Sequence, residues 1–370
     1  MKSVWIGDPH IGLVWDGLDR TEEVFTILKN IIKKVPKDIT DFFFAGDIFD
    51  NSHPFAKHIA QFMSILGEIL EGDSSRNVYI IGGNHDGNLE SVKGLALEPL
   101  SHVHNRDGGQ CFIYTEPTIE RPSSFESRNG VLMLPYSRTQ KEVTIPDVWD
   151  SVIGFSHLDI QDAVVGVERF FTKPIPSMLS NSIINNPKVK RIFSGHIHTP
   201  QTVGDKIIIL GSLLQTDLTE ANDKKRFIIY DNKTDEVESI ELQNEEFGGS
   251  RLKRISFDFV KETPGSGAND FMLNEITKEV KLNDILSIDV RIAEEDLYKI
   301  DIGKVESVVA GKVRHLRRIV PIIVKNREVR LPTLNLAVGK QESVKSFVEA
   351  YCKEDKELIL QKALDIVQDS

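Results

Sequence analysis

The chain is poor in cysteine, in long apolar runs and in positive charge. Its 370 residues include two cysteines, Cys111 and Cys352, too far apart in sequence to form a disulfide framework. They read as free thiols in a reducing cytoplasm, and their scarcity disfavours a thiolate-held structural zinc. No apolar run approaches the roughly 20 residues that cross a membrane, so no membrane association is expected. Met1-Lys2-Ser3-Val4-Trp5-Ile6 enters a strand pattern at once and leaves no room for a signal peptide. A net charge of −11 argues against a general polyanion binder, although bound cations could reverse that balance locally. There is no Gly-x-x-x-x-Gly-Lys-Ser/Thr phosphate loop, no internal repeat and no low-complexity tract.

What the sequence does have is a series of short segments that end in metal-binding side chains. In order they are Gly7-Asp8-Pro9-His10, Gly46-Asp47-Ile48-Phe49-Asp50, Gly83-Asn84-His85-Asp86, Phe155-Ser156-His157 and Gly195-His196-Ile197-His198. Each follows an apolar run of strand character: Ser3–Ile6, Asp41–Ala45, Val78–Ile81, Val152–Phe155 and Arg191–Ser194. Helical patterns separate the first three, through Val24, Ile27, Leu28, Ile31 and Ile32, then through Ile59, Phe62, Met63, Leu66 and Ile69. This alternation predicts a layered α/β core, in which functional loops gather at the carboxyl ends of strands. Lys206–Leu210 and Arg226–Tyr230 are expected to complete a second sheet.

The core is expected over residues 1–246, ending near Phe247-Gly248-Gly249-Ser250. Residues 250–335 read as a small α+β domain. Its elements are a strand over Leu252–Phe259, a helix over Phe271–Val280, a strand over Ile285–Ile292, a helical stretch over Glu294–Val309 and a strand over Ile319–Val324. Residues 340–370 read as a helical segment, with Val344, Phe347, Val348 and Tyr351 on one apolar face.

Carboxylate, carboxamide and imidazole together suit two hard or borderline divalent ions, with manganese favoured and magnesium the alternative. Paired ions of this kind hydrolyse phosphate esters. Side chains two apart in extended backbone share a face, so Asp8 and His10 should point the same way, and likewise His196 and His198. Asp47 is the natural bridging carboxylate, and His85 is best placed outside the ligand set, where it could protonate a leaving oxygen. The glycines at 46, 83 and 195 permit close backbone approach. His53, His58, His102, His104 and His315 read as surface or satisfied histidines.

These segments resemble the Asp-x-His, Gly-Asp-x-x-Asp, Gly-Asn-His-Asp, His and Gly-His-x-His motifs of the calcineurin-like metallophosphoesterase superfamily. The resemblance implies a four-layer β-sandwich flanked by helices. It also implies that Asp8, His10, Asp47 and His198 hold one ion, that Asp47, Asn84, His157 and His196 hold the other, and that His85 is catalytic. Ser/Thr phosphatases of the superfamily carry Arg and Glu where this chain has Asn51 and Asp86. Gly46–Asp50 with Pro54, together with Gly211-Ser212-Leu213-Leu214-Gln215-Thr216, is more similar to the SbcD-type nuclease subunits of double-strand-break repair, in their bacterial and phage branch. Asp50 favours that branch, since archaeal and eukaryotic relatives often carry His there.

That resemblance implies a homodimeric DNA nuclease, cytoplasmic (in the host if phage-encoded), with its last segment docked on the coiled coil of an SMC-like ATPase. Lys312, Arg314, Arg317, Arg318, Lys325, Arg327 and Arg330 form a local basic island facing only Glu328, as a DNA-backbone surface requires. A stand-alone phosphodiesterase or phosphatase acting on small molecules is the alternative.

Overall fold

The structure is a computed structural model. It describes residues 1–71, 76–87, 96–105, 108–139, 143–165, 168–169, 175–260, 267–324, 348, 356 and 359–362. Cys352, Lys325, Arg327, Arg330 and most of the expected helical segment 340–370 lie outside the described residues. The chain divides into two compact units. One comprises Met1–Phe257, Asn269–Asp289 and Asp301–Val320; the other comprises Asp258–Ala268, Val290–Ile300 and Pro321–Ser370.

In the first unit the elements run β1 (Lys2–Ile6), α1 (Thr21–Lys34), β2 (Asp41–Phe44), α2 (Ala56–Glu71), β3 (Asn77–Ile81) and β4 (Cys111–Tyr114). They continue with β5 (Thr118–Glu120), β6 (Asn129–Leu134), β7 (Ser151–Ser156), β8 (Val189–Ser194), β9 (Gln201–Val203), β10 (Ile207–Ile209), β11 (Arg226–Asp231) and β12 (Glu236–Glu241). The first sheet has the order β12-β11-β1-β2-β3-β4, and the second β9-β10-β8-β7-β6-β5. The strands β1 to β4 are mutually parallel, as are β6, β7, β8 and β10. The expectation that residues 206–210 and 226–230 lie in one sheet is corrected: β10 joins the second sheet, but β11 pairs antiparallel with β1 in the first. Its apolar run fits either sheet, and no local pattern names the partner strand.

Strand alternation builds the core. Val4 and Ile6 face one side of the first sheet, with Phe42 and Phe44 beside them. There they meet Val24, Ile27, Leu28 and Ile31 of α1, and Phe62, Leu66 and Ile69 of α2. Helix α1 carries Glu22 and Glu23 in its first turn and Lys33 and Lys34 in its last, matching the helix dipole. It stops at Val35, ahead of Pro36. Trp5 and Phe43 point to the other side, between the sheets. Trp5 stacks on Phe43 at 4.0 Å and on Phe193 at 4.4 Å, with the edge of Phe155 at 5.0 Å. Its indole N–H donates to Ser3 Oγ, so no polar atom is stranded there. The outer face of the second sheet is covered by Ile145, Ile160, Leu179 and Ile183, from loops and the single-turn helix Asn181–Ile184. Cys111 is buried and free, and burial pushes its thiol up to about 12.

The helical stretch expected over 294–309 is two elements. A 3-10 turn at Glu294–Lys299 belongs to the second unit, and an α-helix at Ile302–Val309 to the first. Asp301 starts the latter as N-cap, its carboxylate accepting from the Lys304 amide at 3.0 Å. The strand expected from Ile319 begins at Ile322, after Pro321, which has no amide hydrogen to donate. In the second unit this strand runs parallel to Arg291–Ala293.

One buried ion cluster ties α1 to later parts of the first unit. Glu23 accepts from Arg20 Nη2 at 2.9 Å and from the Ser250 amide at 2.6 Å on one oxygen. Its other oxygen accepts from Arg20 Nε at 3.0 Å and Arg314 Nη1 at 2.6 Å. Burial opposes ionisation, but Arg20, then Arg314 and the Ser250 amide, hold the Glu23 carboxyl below its usual range. A lowered folded-state pKa gives stability that is complete above the ordinary value of 4.5 and lost as pH falls through the folded-state value. Glu23→Gln strands Arg20, which is fully buried, so the expected loss is about 3–5 kcal/mol at neutral pH. Urea midpoints of the variant and parent should converge as the pH is lowered below the carboxylate range.

Candidate metal centre

The five segments converge at one edge, because the strands that precede them end there side by side. Asp8 and His10 leave β1, Asp47 leaves β2, Asn84 and His85 leave β3, His157 leaves β7, and His196 and His198 leave β8. Three sets of donor atoms lie within 4.8 Å of one another: Asp8, His10 and His198; His10, Asp47 and His85; and Asp47, His157 and His196.

Local backbone sets this aim. His10 (φ 48°), Asp47 (φ 46°) and His196 (φ 73°) all occupy the left-handed region, at a cost of order 1 kcal/mol or more each. The expectation of an extended backbone at Asp8–His10 and His196–His198 is corrected by these angles. His196 and His198 do not share a target: His198 turns to Asp8 and His10, while His196 turns to Asp47 and His157. Two glycines allow the close approach. A Cβ on Gly83 would lie 2.1 Å from Asp47 Oδ1, and one on Gly195 would lie 2.3 Å from Asp8 Oδ1.

The outer ring nitrogens fix the histidine tautomers. His157 Nδ1 donates to the Ala45 carbonyl at 2.5 Å, which leaves Nε2 without a proton in the neutral ring. Yet Nε2 faces Asn84 Oδ1 at 3.0 Å and Asp47 Oδ2 at 3.3 Å. His196 Nε2 faces Asp159 Oδ1 at 3.0 Å, which leaves Nδ1 bare against Asn84 Oδ1 at 2.9 Å. His198 Nδ1 faces Thr216 Oγ1 at 2.9 Å and Glu220 Oε1 at 3.2 Å, so the bare Nε2 is the one 3.0 Å from His10 Nε2. Asp8 gives one oxygen to the His196 amide at 2.8 Å, and its other is buried without a hydrogen-bond partner. In the neutral rings of His157 and His196, lone pairs thus point at the Asn84 oxygen, an arrangement that a cation resolves. Donors about 2.1 Å from a shared ion and at right angles lie about 3 Å apart, which is the spacing found. The residues therefore fit a pair of divalent ions. Asp47 Oδ2 has His157 Nε2 at 3.3 Å and His10 Nε2 at 3.9 Å, the position a bridging oxygen needs.

His85 sits at the rim. Its Nδ1 donates to the Asp50 carbonyl at 2.7 Å, its amide donates to Asp47 Oδ1 at 2.8 Å, and its ring stands 4.9 Å from that of His10. Asp86 is wholly buried and accepts from the Phe49 and Gly83 amides at 3.1 and 3.0 Å, pinning the loop after β2 to the loop after β3. Burial, then Asp47, push its carboxyl up to about 7 against those two bonds. Outside the centre, His53 pairs with Ser52, His104 with the His102 carbonyl and His315 with Asp16. His58 differs from expectation, being buried with its Nε2 unpartnered.

Sequence reading passed over Asp159, Glu220 and Asp86 as working parts. Asp159 stands two residues past His157 and could have been suspected. Glu220 lies 22 residues past His198, in a 3-10 turn that no motif marks. Of the basic island, Lys312, Arg317 and Arg318 are exposed, whereas Arg314 is committed to Glu23.

The pocket's electrostatics repeat the demand for positive charge. Burial works against a charged His157, yet Asp47 and then Asp8 raise it to about 10. Burial pushes Asp8 up to about 7, with Asp47 adding to it and His157 and His10 pulling back. Burial also acts on Asp47, but His157, His10 and His85 hold it below the usual carboxylate range. Arriving ions must displace the protons of Asp8 and His157. Manganese affinity is therefore expected to rise with pH across about 7 to 10. Calorimetry in buffers of different ionisation heat should register the released protons, and pH-independent binding would place the ions elsewhere.

Three comparisons bear on this geometry. The family model of calcineurin-like phosphoesterases matches residues 1–200. No curated protein matches the chain. One solved structure aligns over 65% of this chain and 98% of its own, at 12% identity and a TM-score of 0.38, a likeness too slight to carry weight. Members of this family are hydrolases that depend on divalent metals. The matched segment ends two residues past His198 and so contains every donor of the pocket; the chain belongs to the calcineurin-like phosphoesterase family.

Proposed function

We propose that this chain is the manganese-dependent nuclease subunit of a DNA-processing complex. It would cleave phosphodiester bonds in recombination, repair or phage replication. The observation that carries the reading is the donor set itself, overlapping thiol-free clusters in which Asp47 meets His10 on one side and His157 and His196 on the other. When bound, paired divalent ions supply Lewis acidity and an acidified water nucleophile. The protein's own groups do the rest. Asp47 and Asp8 fix the charge of the pocket, and the His85 amide holds the Asp47 carboxylate in place. With Nδ1–H bound to the Asp50 carbonyl, His85 has Nε2 as its remaining ring nitrogen, which in the imidazolium form would deliver its proton to the departing oxygen and leave the neutral ring behind.

Two features support DNA over a phosphoprotein. Asn51 and Asp86 stand where protein phosphatases of the family carry Arg and Glu, and Asp86 is buried on two backbone amides rather than facing a substrate. In a chain of net charge −11, Lys312, Arg317 and Arg318 leave an exposed basic stretch, although Arg317 has Asp16 at 3.7 Å. The resemblance to SbcD-type subunits adds 3′-to-5′ exonuclease action on duplex ends, endonuclease action on single strands, homodimerisation and an SMC-like ATPase partner held by residues 340–370.

Plasmid nicking in manganese tests the reading. Cleavage is expected; its absence alongside rapid turnover of a small phosphodiester would favour a stand-alone small-molecule phosphodiesterase. His85→Ala should lower cleavage by about 10²–10⁴-fold while manganese binding by calorimetry stays intact. A matching loss of manganese would make His85 a ligand.

A further inference from the structure

The two clusters are unequal in charge. The Asp8, His10 and His198 cluster has a carboxylate of its own, and its His10 also has Asp47 Oδ2 at 3.9 Å. The cluster of His157 and His196, with Asn84 Oδ1 between their rings, has only the shared Asp47. A dication there would face three neutral ligands and part of one negative charge. Asp159 stands directly behind it. Its Oδ1 lies 3.0 Å from His196 Nε2, and its Oδ2 accepts from Ser177 Oγ at 2.5 Å. The carboxylate is buried, and no Lys or Arg pairs with it among the described residues.

Glu220 occupies the matching place behind His198, but its surroundings differ. The fully buried Lys225 lies 2.7 Å from Glu220 Oε2 and also binds the His198 carbonyl at 2.8 Å and Asp223 at 3.3 Å. Thr216 and its amide use the remaining Glu220 bonds. Glu220 therefore orients His198 with its charge met by a buried cation, whereas Asp159 has only Ser177 and the His196 ring to meet its charge. A carboxylate behind a metal-ligating imidazole raises the basicity of that ligand.

We infer that Asp159 is the positioning residue that makes the Asn84–His157–His196 site able to hold its ion, and that Glu220 has no equal effect on the other site. The inference deepens the metal-centre reading and rests on it. Manganese calorimetry on the full chain tests it. The parent should take up two ions. Asp159→Asn should weaken one of them by about 10–100-fold and leave the other unchanged. Its Mn(II) resonance spectrum at two equivalents should change from exchange-coupled to isolated. Glu220→Gln should leave that same ion within a few-fold of the parent. In an Asn84→Ala background, Asp159→Asn should add no further loss, because the two act on one site. Ser177→Ala, which loosens Asp159 without removing its charge, should weaken the same ion by a smaller factor, and it carries the test if Asp159→Asn does not fold. Two ions bound as in the parent by Asp159→Asn (or, in that case, by Ser177→Ala), or both ions weakened alike, would overturn the inference. A parent that binds no manganese would instead remove the metal-centre reading beneath it.

Discussion

Asp47 is a fully buried carboxylate ringed by histidines whose outer nitrogens are already engaged. That single constraint organises the edge of the molecule. Because Ala45, Asp159 and Glu220 take the outer N–H groups of His157, His196 and His198, the inner nitrogens present lone pairs whenever those rings are neutral. The same side chains that would repel one another in an empty pocket become a matched cage when cations enter. The strain of left-handed backbone at His10, Asp47 and His196 is tolerable because the sandwich beneath leaves those residues no other place to go.

That sandwich is held by aromatic packing at its centre. Trp5, Phe43, Phe155 and Phe193 come from β1, β2, β7 and β8, the strands that end in Asp8, Asp47, His157 and His196. Two to four residues along each chain, from the ring past the strand's end, are enough to bring a ligand to the edge. The interior stack and the exterior centre are therefore two ends of the same four strands.

Much of this was legible in the sequence, for a physical reason. Apolar runs such as Asp41–Phe44 announce buried strands, and donor residues directly after them have one place to converge. The convergence of Asp8, His10, Asp47, His157, His196 and His198 and the close approaches at Gly83 and Gly195 follow from that local logic. What stayed hidden was non-local. The pairing of β11 with β1 depends on which open edge it meets, not on its own residues. The roles of Asp159 and Glu220 depend on which side chain lies in front of them. Arg314 looked like a member of a DNA-facing island because charge in a sequence carries no direction, yet it reaches Glu23, 291 positions away. Backbone handedness at His196 likewise left no trace in the pattern.

Each cluster draws on both sheets: Asp8 and His10 meet His198, and Asp47 meets His157 and His196. An ion in either place would thus be a cross-link between the two halves of the sandwich. The folded chain and its cargo of ions then share one free energy. Metal supply would set not only how fast such a centre works but also how firmly its two sheets stay closed at that edge.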